Sequence, residues 1–287
     1  MKILLLGKNG QVGWELQRSL APLGEVLALD SKSSDYCGDL RDLDGLAATV
    51  QRFAPDVIVN AAAYTAVDKA ESEPENAQRV NAEAVAVLAR EARQLGSLLV
   101  HYSTDYVFAG DGEQPWAEED AVAPLNQYGA SKLAGEQAIQ ASGCQHLILR
   151  TSWVVSAHGT NFVKTMLRLG RERSSLTVVA DQIGGPTPAS DIADALYKMA
   201  VALRTGAKGG VQHFSGAPDT SWADFARVIM ARAGLPCAVV DIASSAYPTP
   251  AKRPLNSRLD CTGLAEFGLQ RPDWRVGLDK ILQELAA

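Results

Sequence analysis

Apolar positions along the chain change period in a regular order. Residues 2–7, "KILLLG", form an unbroken apolar run of strand length. In "QVGWELQRSLAPLG", Val12, Leu16 and Leu20 recur at the spacing of one helix face. "EVLALD" is a second apolar run, ending at Asp30, and "DVIVNAAAYT" (56–65) is a third, ending in small residues. Residues 70–96 read as one long helix with Val80, Val87 and Leu88 facing inward; Asn81 is either a solvated position, which the sequence favours, or one that satisfies buried backbone groups. "LLVHYSTDYVF" (98–108) and "HLILRTSWVV" (146–155) are strands whose ends turn polar. Strands that are apolar throughout, alternating with helices, predict a parallel sheet covered on both faces.

The back part has the same vocabulary in shorter pieces. "TNFVKTMLRLGRERSSLTVVADQIGGPTPASDIADALYKMA" predicts a helix, a strand, a Gly/Pro-rich turn and a second helix. "VQHFSG" reads as a strand, and "SWADFARVIMARAG" as a helix with Ser221 and Asp224 as capping box and Gly234 as its stop. "AYPTPAKRPLNSRLD" is a proline-rich loop carrying Lys252, Arg253 and Arg258. Cations on a loop near a cleft suit a diphosphate, with a solvated surface loop as the alternative.

Gly7, Gly10 and Gly13 fall between the first strand and the first helix. In that context a glycine triplet predicts a dinucleotide site. Gly7 serves the tight turn, Gly10 the approach of backbone to the pyrophosphate, and Gly13 the contact of helix with strand. Free N–H groups at the helix N-terminus then meet the phosphates. Asp30 is placed to accept hydrogen bonds from an adenosine ribose. A carboxylate there repels a 2′-phosphate and favours NADH over NADPH. Ser31, Lys32 and Ser33 soften that preference, so the choice stays open. Asp39 and Leu40 either meet an adenine ring or begin a helix, with Asp39 or Asp42 as N-cap. Ala61, Ala62 and Ala63 let backbone pass close to a flat cofactor. The expected fold class is therefore α/β, a Rossmann-type doubly wound parallel sheet with a smaller C-terminal α/β substrate domain. The expected boundaries are 1–150 for the dinucleotide-binding domain and 151–287 for the mainly substrate-binding one.

Composition narrows the partners. The 287 residues are 47% hydrophobic and carry a net charge of −6 with no basic run. That argues against generic binding to nucleic acid or to an anionic membrane. Cys37, Cys144, Cys237 and Cys261 lie far apart, and the four histidines form no metal-binding pair. The apolar start is too short for a signal segment or a membrane span. A cytoplasmic protein is expected.

The chemistry concentrates in "NQYGASKLAGEQ". Tyr128 and Lys132 stand four apart, on one helix face. An ammonium close to a phenol, with a cationic nicotinamide, is expected to lower the phenol's pKa toward neutrality, where proton transfer is efficient. Thr104 is placed to hydrogen-bond the carbonyl oxygen that Tyr128 protonates. Ser103, Thr104, Asp105 and Tyr106 at one strand end, and Thr151, Ser152 and Trp153 at the next, lie where ligands bind in open α/β sheets. Trp153 is expected either to stack on a base or sugar or simply to fill the core.

"GKNGQVG", "DVIVNAAAYTAVDKAE", "HYSTDYVF", "YGASKLAGE" and "LRTSWV" together resemble the extended short-chain dehydrogenase/reductases. The resemblance covers residues 1–260 and implies a reductase acting on a dTDP-linked keto-sugar with NADPH or NADH. It implies that about 185–204 returns to the dinucleotide-binding domain, and it implies Thr104, Tyr128 and Lys132 as the catalytic set. Gly10, Gln11, Val12, Asp30, Asp39, Leu40, Ala63, Tyr64, Thr65 and Tyr102 would line the dinucleotide, beside Gly7, Gly13 and Ala62. Thr104, Asp105 and Trp153 would touch the sugar nucleotide, with Val67 and Arg253 as further candidates. Some relatives hold magnesium at a dimer contact through several glutamates. Glu15 is present, but Ser190 stands where a second glutamate is expected and the C-terminus stops early, so a metal is doubtful and a homodimer is left open. A bound-NAD epimerase and a non-catalytic regulatory subunit are the alternatives. Thr104-Asp105-Tyr106 lacks the Asp-Glu pair of the dehydratases.

Overall fold

The computed structural model describes residues 1–204 and 206–286. The first half runs β1 (Lys2–Leu6), α1 (Gln11–Leu20), β2 (Glu25–Leu29), α2 (Leu43–Phe53), β3 (Val57–Asn60), α3 (Val67–Ser72), α4 (Pro74–Gln78), α5 (Ala84–Leu95), β4 (Leu98–Thr104), α6 (Gln127–Ser142) and β5 (His146–Thr151). The rest runs β6 (Val154–Val155), α7 (Phe162–Glu172), β7 (Ser175–Val179), β8 (Ile183–Gly184), β9 (Thr187–Pro188), α8 (Ala189–Arg204), β10 (Gly210–Phe214), β11 (Thr220–Ser221), α9 (Trp222–Arg232), β12 (Ala238–Ile242), β13 (Asn256–Ser257) and α10 (Trp274–Ala286).

Six of these strands form one sheet in the order β10-β5-β4-β3-β1-β2, parallel throughout. Strand order reverses at β1, which opens a crevice beyond the carboxyl ends of β1 and β3. The pleat sends successive side chains to opposite faces. Ile3 and Leu5 join Leu16 and Leu20 of α1 and Ile192, Leu196 and Met199 of α8 in one core. Leu4 and Leu6 join Leu46 and Val50 of α2, Leu88 of α5 and Ile139 of α6 in the other. A third core holds the back part together: Val163 and Leu167 of α7, Phe225 and Ile229 of α9, Leu176 and Val178 of β7, and Trp274 and Leu278 of α10. The α9 cap is reciprocal, since the Asp224 amide donates to Ser221 Oγ at 3.0 Å and Ser221 Oγ donates to the Asp224 carboxylate at 2.8 Å.

The long helix expected over 70–96 is broken. Glu73 leaves helical geometry at φ −126°, ψ 50°, and Pro74 starts α4. Proline has no N–H to continue the preceding turn and fits the first helical position instead. Residues 79–83 then widen into a π turn before α5. Asn81 is buried there and takes the less favoured of its two readings, satisfying backbone groups. Its carboxamide accepts from the Tyr64 amide (2.8 Å) and donates to the Tyr64 carbonyl (3.0 Å) and to Ser131 Oγ (3.0 Å). Such a turn re-aims one side chain; here it pins the strip 61–65 to α6. No helix among the described residues is long and apolar enough to cross a membrane.

Candidate active site

A cleft of about 610 Å³ opens at the carboxyl ends of β1, β3 and β4. Gly7, Gly10, Gln11, Val12, Asp30, Asp39, Leu40, Ala62, Ala63, Thr65, Tyr102, Tyr128 and Lys132, all singled out from the sequence, line it together. A roomier cavity, about 810 Å³, lies at the opposite strand ends and contains none of those residues. The cleft is where the chemistry gathers.

Its floor is backbone. A Cβ on Gly13 would sit 2.0 Å from the Gly7 carbonyl oxygen, so only glycine lets α1 approach β1 this closely. Gly10 caps α1 with no side-chain hydrogen bond, leaving N–H groups directed into the cleft. Asp30 accepts from the Lys32 amide and Ser33 Oγ, both at 3.0 Å, and from Asn9 Nδ2 at 2.5 Å. The Lys32 amide foremost holds this carboxyl below its ordinary value. Asp39 bonds Arg41, whereas the cap of α2 is Asp42, which accepts from the Gly45 amide at 3.0 Å. Three buried oxygens here, Tyr102 Oη, Ser103 Oγ and Thr151 Oγ1, have no partner within the protein. A glycine cradle, a free helix N-terminus and unpaired polar atoms fit a dinucleotide.

Tyr128 and Lys132 rise from the first turns of α6. Asn126 caps that helix by accepting from the Gly129 amide at 2.8 Å and donates to the Lys252 carbonyl at 2.9 Å. A Cβ on Gly129 would lie 2.2 Å from the Tyr106 carbonyl oxygen. The missing side chain therefore lets α6 press onto the turn after β4, bringing Tyr128 to Thr104. The Tyr106 and Tyr128 rings meet edge-on with centroids 5.6 Å apart.

Burial and Asp105, rather than Lys132, govern the Tyr128 phenol, so the lowering expected from the lysine is not seen. Burial first, then the nearby Asp105 carboxylate, pushes Tyr128 up to about 12, against a lowering hydrogen bond with Thr104. The Lys132 amine is directed elsewhere: it donates to the Tyr102 carbonyl at 2.6 Å and lies 3.2 Å from His101 Nε2. Burial pulls Lys132 down to about 8. Asp105 is also buried, receives a bond from Thr104 Oγ1 at 3.1 Å, and is raised to about 6 by burial.

Other predicted residues surround the cleft or stand off it. Tyr64 turns its hydroxyl to Glu73 at 2.9 Å, and Gly13 lies beneath the turn. Val67 begins α3 beside Asp68, whose carboxylate takes Arg253 in a two-pronged pair at 2.8 and 2.9 Å. Trp153 is half-buried with φ at +49°, and Trp222 covers one ring face, centroids 3.5 Å apart. One face of Trp153 is thus packed within the protein, as the core-filling alternative expects. The sequence reading missed Gly159 and Thr160, which reach the cleft from the back part. Asn161 next to them donates to Gln11 Oε1 at 2.9 Å. Nothing in "HGTN" marks it as part of a site 150 residues away.

Glu15, His158 and Glu284 bring their donor atoms within 4.8 Å of one another. The C-terminus, expected to stop short, does supply a carboxylate, and His158 donates to it at 2.9 Å. Two carboxylates and an imidazole are not the all-oxygen set that magnesium demands. This cluster does not fit magnesium.

Fold and cleft define the class: a dinucleotide-dependent oxidoreductase of the extended short-chain type. The RmlD substrate binding domain family matches residues 1–287, and the chain belongs to it. It is 52% identical to a dTDP-4-dehydrorhamnose reductase of Escherichia coli over 99% of this chain and 98% of that one. A dTDP-4-dehydrorhamnose reductase structure from Clostridium acetobutylicum superposes with a TM-score of 0.92 at 34% identity, covering 100% of both chains. A third, from Bacillus anthracis in complex with NADP, gives 0.90 at 37% identity and covers 99% of each.

Proposed function

We propose that the chain reduces the C4 keto group of dTDP-4-dehydro-L-rhamnose to dTDP-L-rhamnose, for bacterial surface polysaccharide, with NADPH or NADH as reductant. The observation that carries the reading is Tyr128 and Lys132 in one cleft with the glycine turn, in a chain half identical to a named reductase along its whole length. The same naming favours reduction over epimerisation or a binding-only role. The dinucleotide supplies the hydride.

Tyr128 supplies the proton. At neutral pH a phenol held near 12 is fully protonated, as an acid for a developing alkoxide must be. Thr104 orients the same oxygen. Lys132 holds the ribose hydroxyls, with Gly7, Gly10, Gln11, Val12 and the strip Ala62 to Thr65 along the dinucleotide. Asp105, Trp153, Val67 and Arg253 take the sugar nucleotide, Arg253 already oriented by Asp68. The working protein is read as cytoplasmic.

The test is consumption of NADPH or NADH on addition of dTDP-4-dehydro-L-rhamnose, with a UDP-linked keto-sugar as control. Turnover confined to the dTDP sugar supports the reading. Bound NAD with no net oxidation of added reductant overturns it.

A further inference from the structure

Lys132 is enclosed by groups whose hydrogen-bond directions can be counted. Asn60, at the end of β3, accepts from the Ala62 amide through Oδ1 at 3.2 Å. Its Nδ2 therefore faces His101 Nδ1, 3.1 Å away. An amide nitrogen only donates, so Nδ1 must accept. The proton of a neutral His101 then sits on Nε2, which faces Lys132 Nζ at 3.2 Å. An ammonium has three donors and no acceptor. With Asn60 so anchored, Nζ can meet Nε2–H only as an amine that accepts there and donates to the Tyr102 carbonyl.

We propose that Asn60 and His101 are positioning residues acting through Lys132: while Asn60 accepts from the Ala62 amide they admit it only as an uncharged amine, and the Asn60 amide must turn over before it can be an ammonium. In the turned state Oδ1 accepts from His101 Nδ1–H, and Nε2 accepts from the ammonium. The cost is the bond from the Ala62 amide. Ala62 lines the cleft, and its amide nitrogen packs under Gly7, where a Cβ would come within 2.7 Å of it. A ligand that takes the Ala62 N–H releases Asn60 and so favours a charged Lys132.

The surrounding charges agree with this arrangement. His101 and Lys132 are both buried. Burial foremost keeps His101 well below its ordinary value, which favours the neutral ring. On α6, Tyr128 stands one turn before Lys132 and Glu136 one turn after; Glu136 favours the ammonium but is already taken by Arg150 of β5 at 2.7 Å. The π turn contributes the neutral Asn81, bonded to Ser131. Burial, which draws Lys132 toward about 8, outweighs Glu136.

The functional weight of this coupler rests on Lys132 belonging to the reductase site, but the decisive measurement needs no turnover. Nitrogen chemical shifts of 15N-histidine-labelled protein report which ring nitrogen carries the proton, with His101 assigned from His101→Gln. The expected result is the Nε2–H form at about pH 10 and the Nδ1–H form at about pH 6, exchanging as the lysine titrates. In Lys132→Met the exchange is lost and Nε2–H persists. A fixed Nδ1–H form at every pH, or an exchange that survives in Lys132→Met, overturns the proposal and leaves the reductase reading standing. In the second arm, the freely rotating amide of His101→Gln accepts from an ammonium. The alkaline limb of kcat/KM for the reductant should move up by about one pH unit. A limb that stays put while kcat falls means a packing role only.

Discussion

Tyr128 shows how a residue's surroundings set its task. The phenol is kept protonated by burial, so it donates in the reductive direction without needing a lysine charge beside it. Tyr128→Phe should lower kcat by about 10²–10⁴-fold while fluorescence titration shows reductant binding kept. Asp105 has a raised carboxyl, near 6 against an ordinary 3.8. A group raised on folding contributes stability below its unfolded value and loses it as pH climbs through the folded one. Asp105→Asn should therefore gain stability over the wild type between about pH 4 and 6, by at most about 3 kcal/mol. Urea unfolding across that range reads the difference, and parallel curves for the two proteins would refute it.

At the scale of elements, α6 is aimed by what it lacks. Gly129→Ala places a carbon against the Tyr106 carbonyl and must push the helix start outward, at about 1–3 kcal/mol. Thermal melts should show the loss, and kcat should fall further than KM rises, because the displaced group is the acid. The strands, the glycine turn and the Tyr128–Lys132 pair were legible because each obeys a local rule of spacing. The break at Glu73–Pro74 was visible too, since proline does not continue a helix, yet strong periodicity on both sides hid it. Asn81 and His101 were not legible. Their roles depend on partners at Tyr64, Ser131, Asn60 and Lys132, which only the packing of separate elements brings close. The lack of influence of Lys132 on Tyr128 was hidden for the same reason: the sequence places the amine on the correct face but not where it points.

For the whole molecule, the site is closed by chain from the far side. Asn161 reaches Gln11, Asn126 reaches the Lys252 carbonyl, and Asp68 holds Arg253 and the Ala251 amide. These ties join the halves across the cleft mouth. Asp68→Asn keeps the size but weakens the ion pair, so the loop 247–254 should lose its fixed position. Steady-state kinetics should show KM for the sugar nucleotide raised several-fold, with KM for the reductant nearly unchanged. Equal changes in both would mean the loop serves the fold at large.

Trp153 follows β5 and Trp222 opens α9, their planes tilted by 12°. Indoles so close share their excited states, which gives near-ultraviolet circular dichroism a paired signal of opposite signs. Trp14, Trp116 and Trp274 have no such indole neighbour among the described residues. The molecule thus carries a built-in optical gauge of how the segment after β5 sits against α9, readable without a label and silenced by Trp222→Phe.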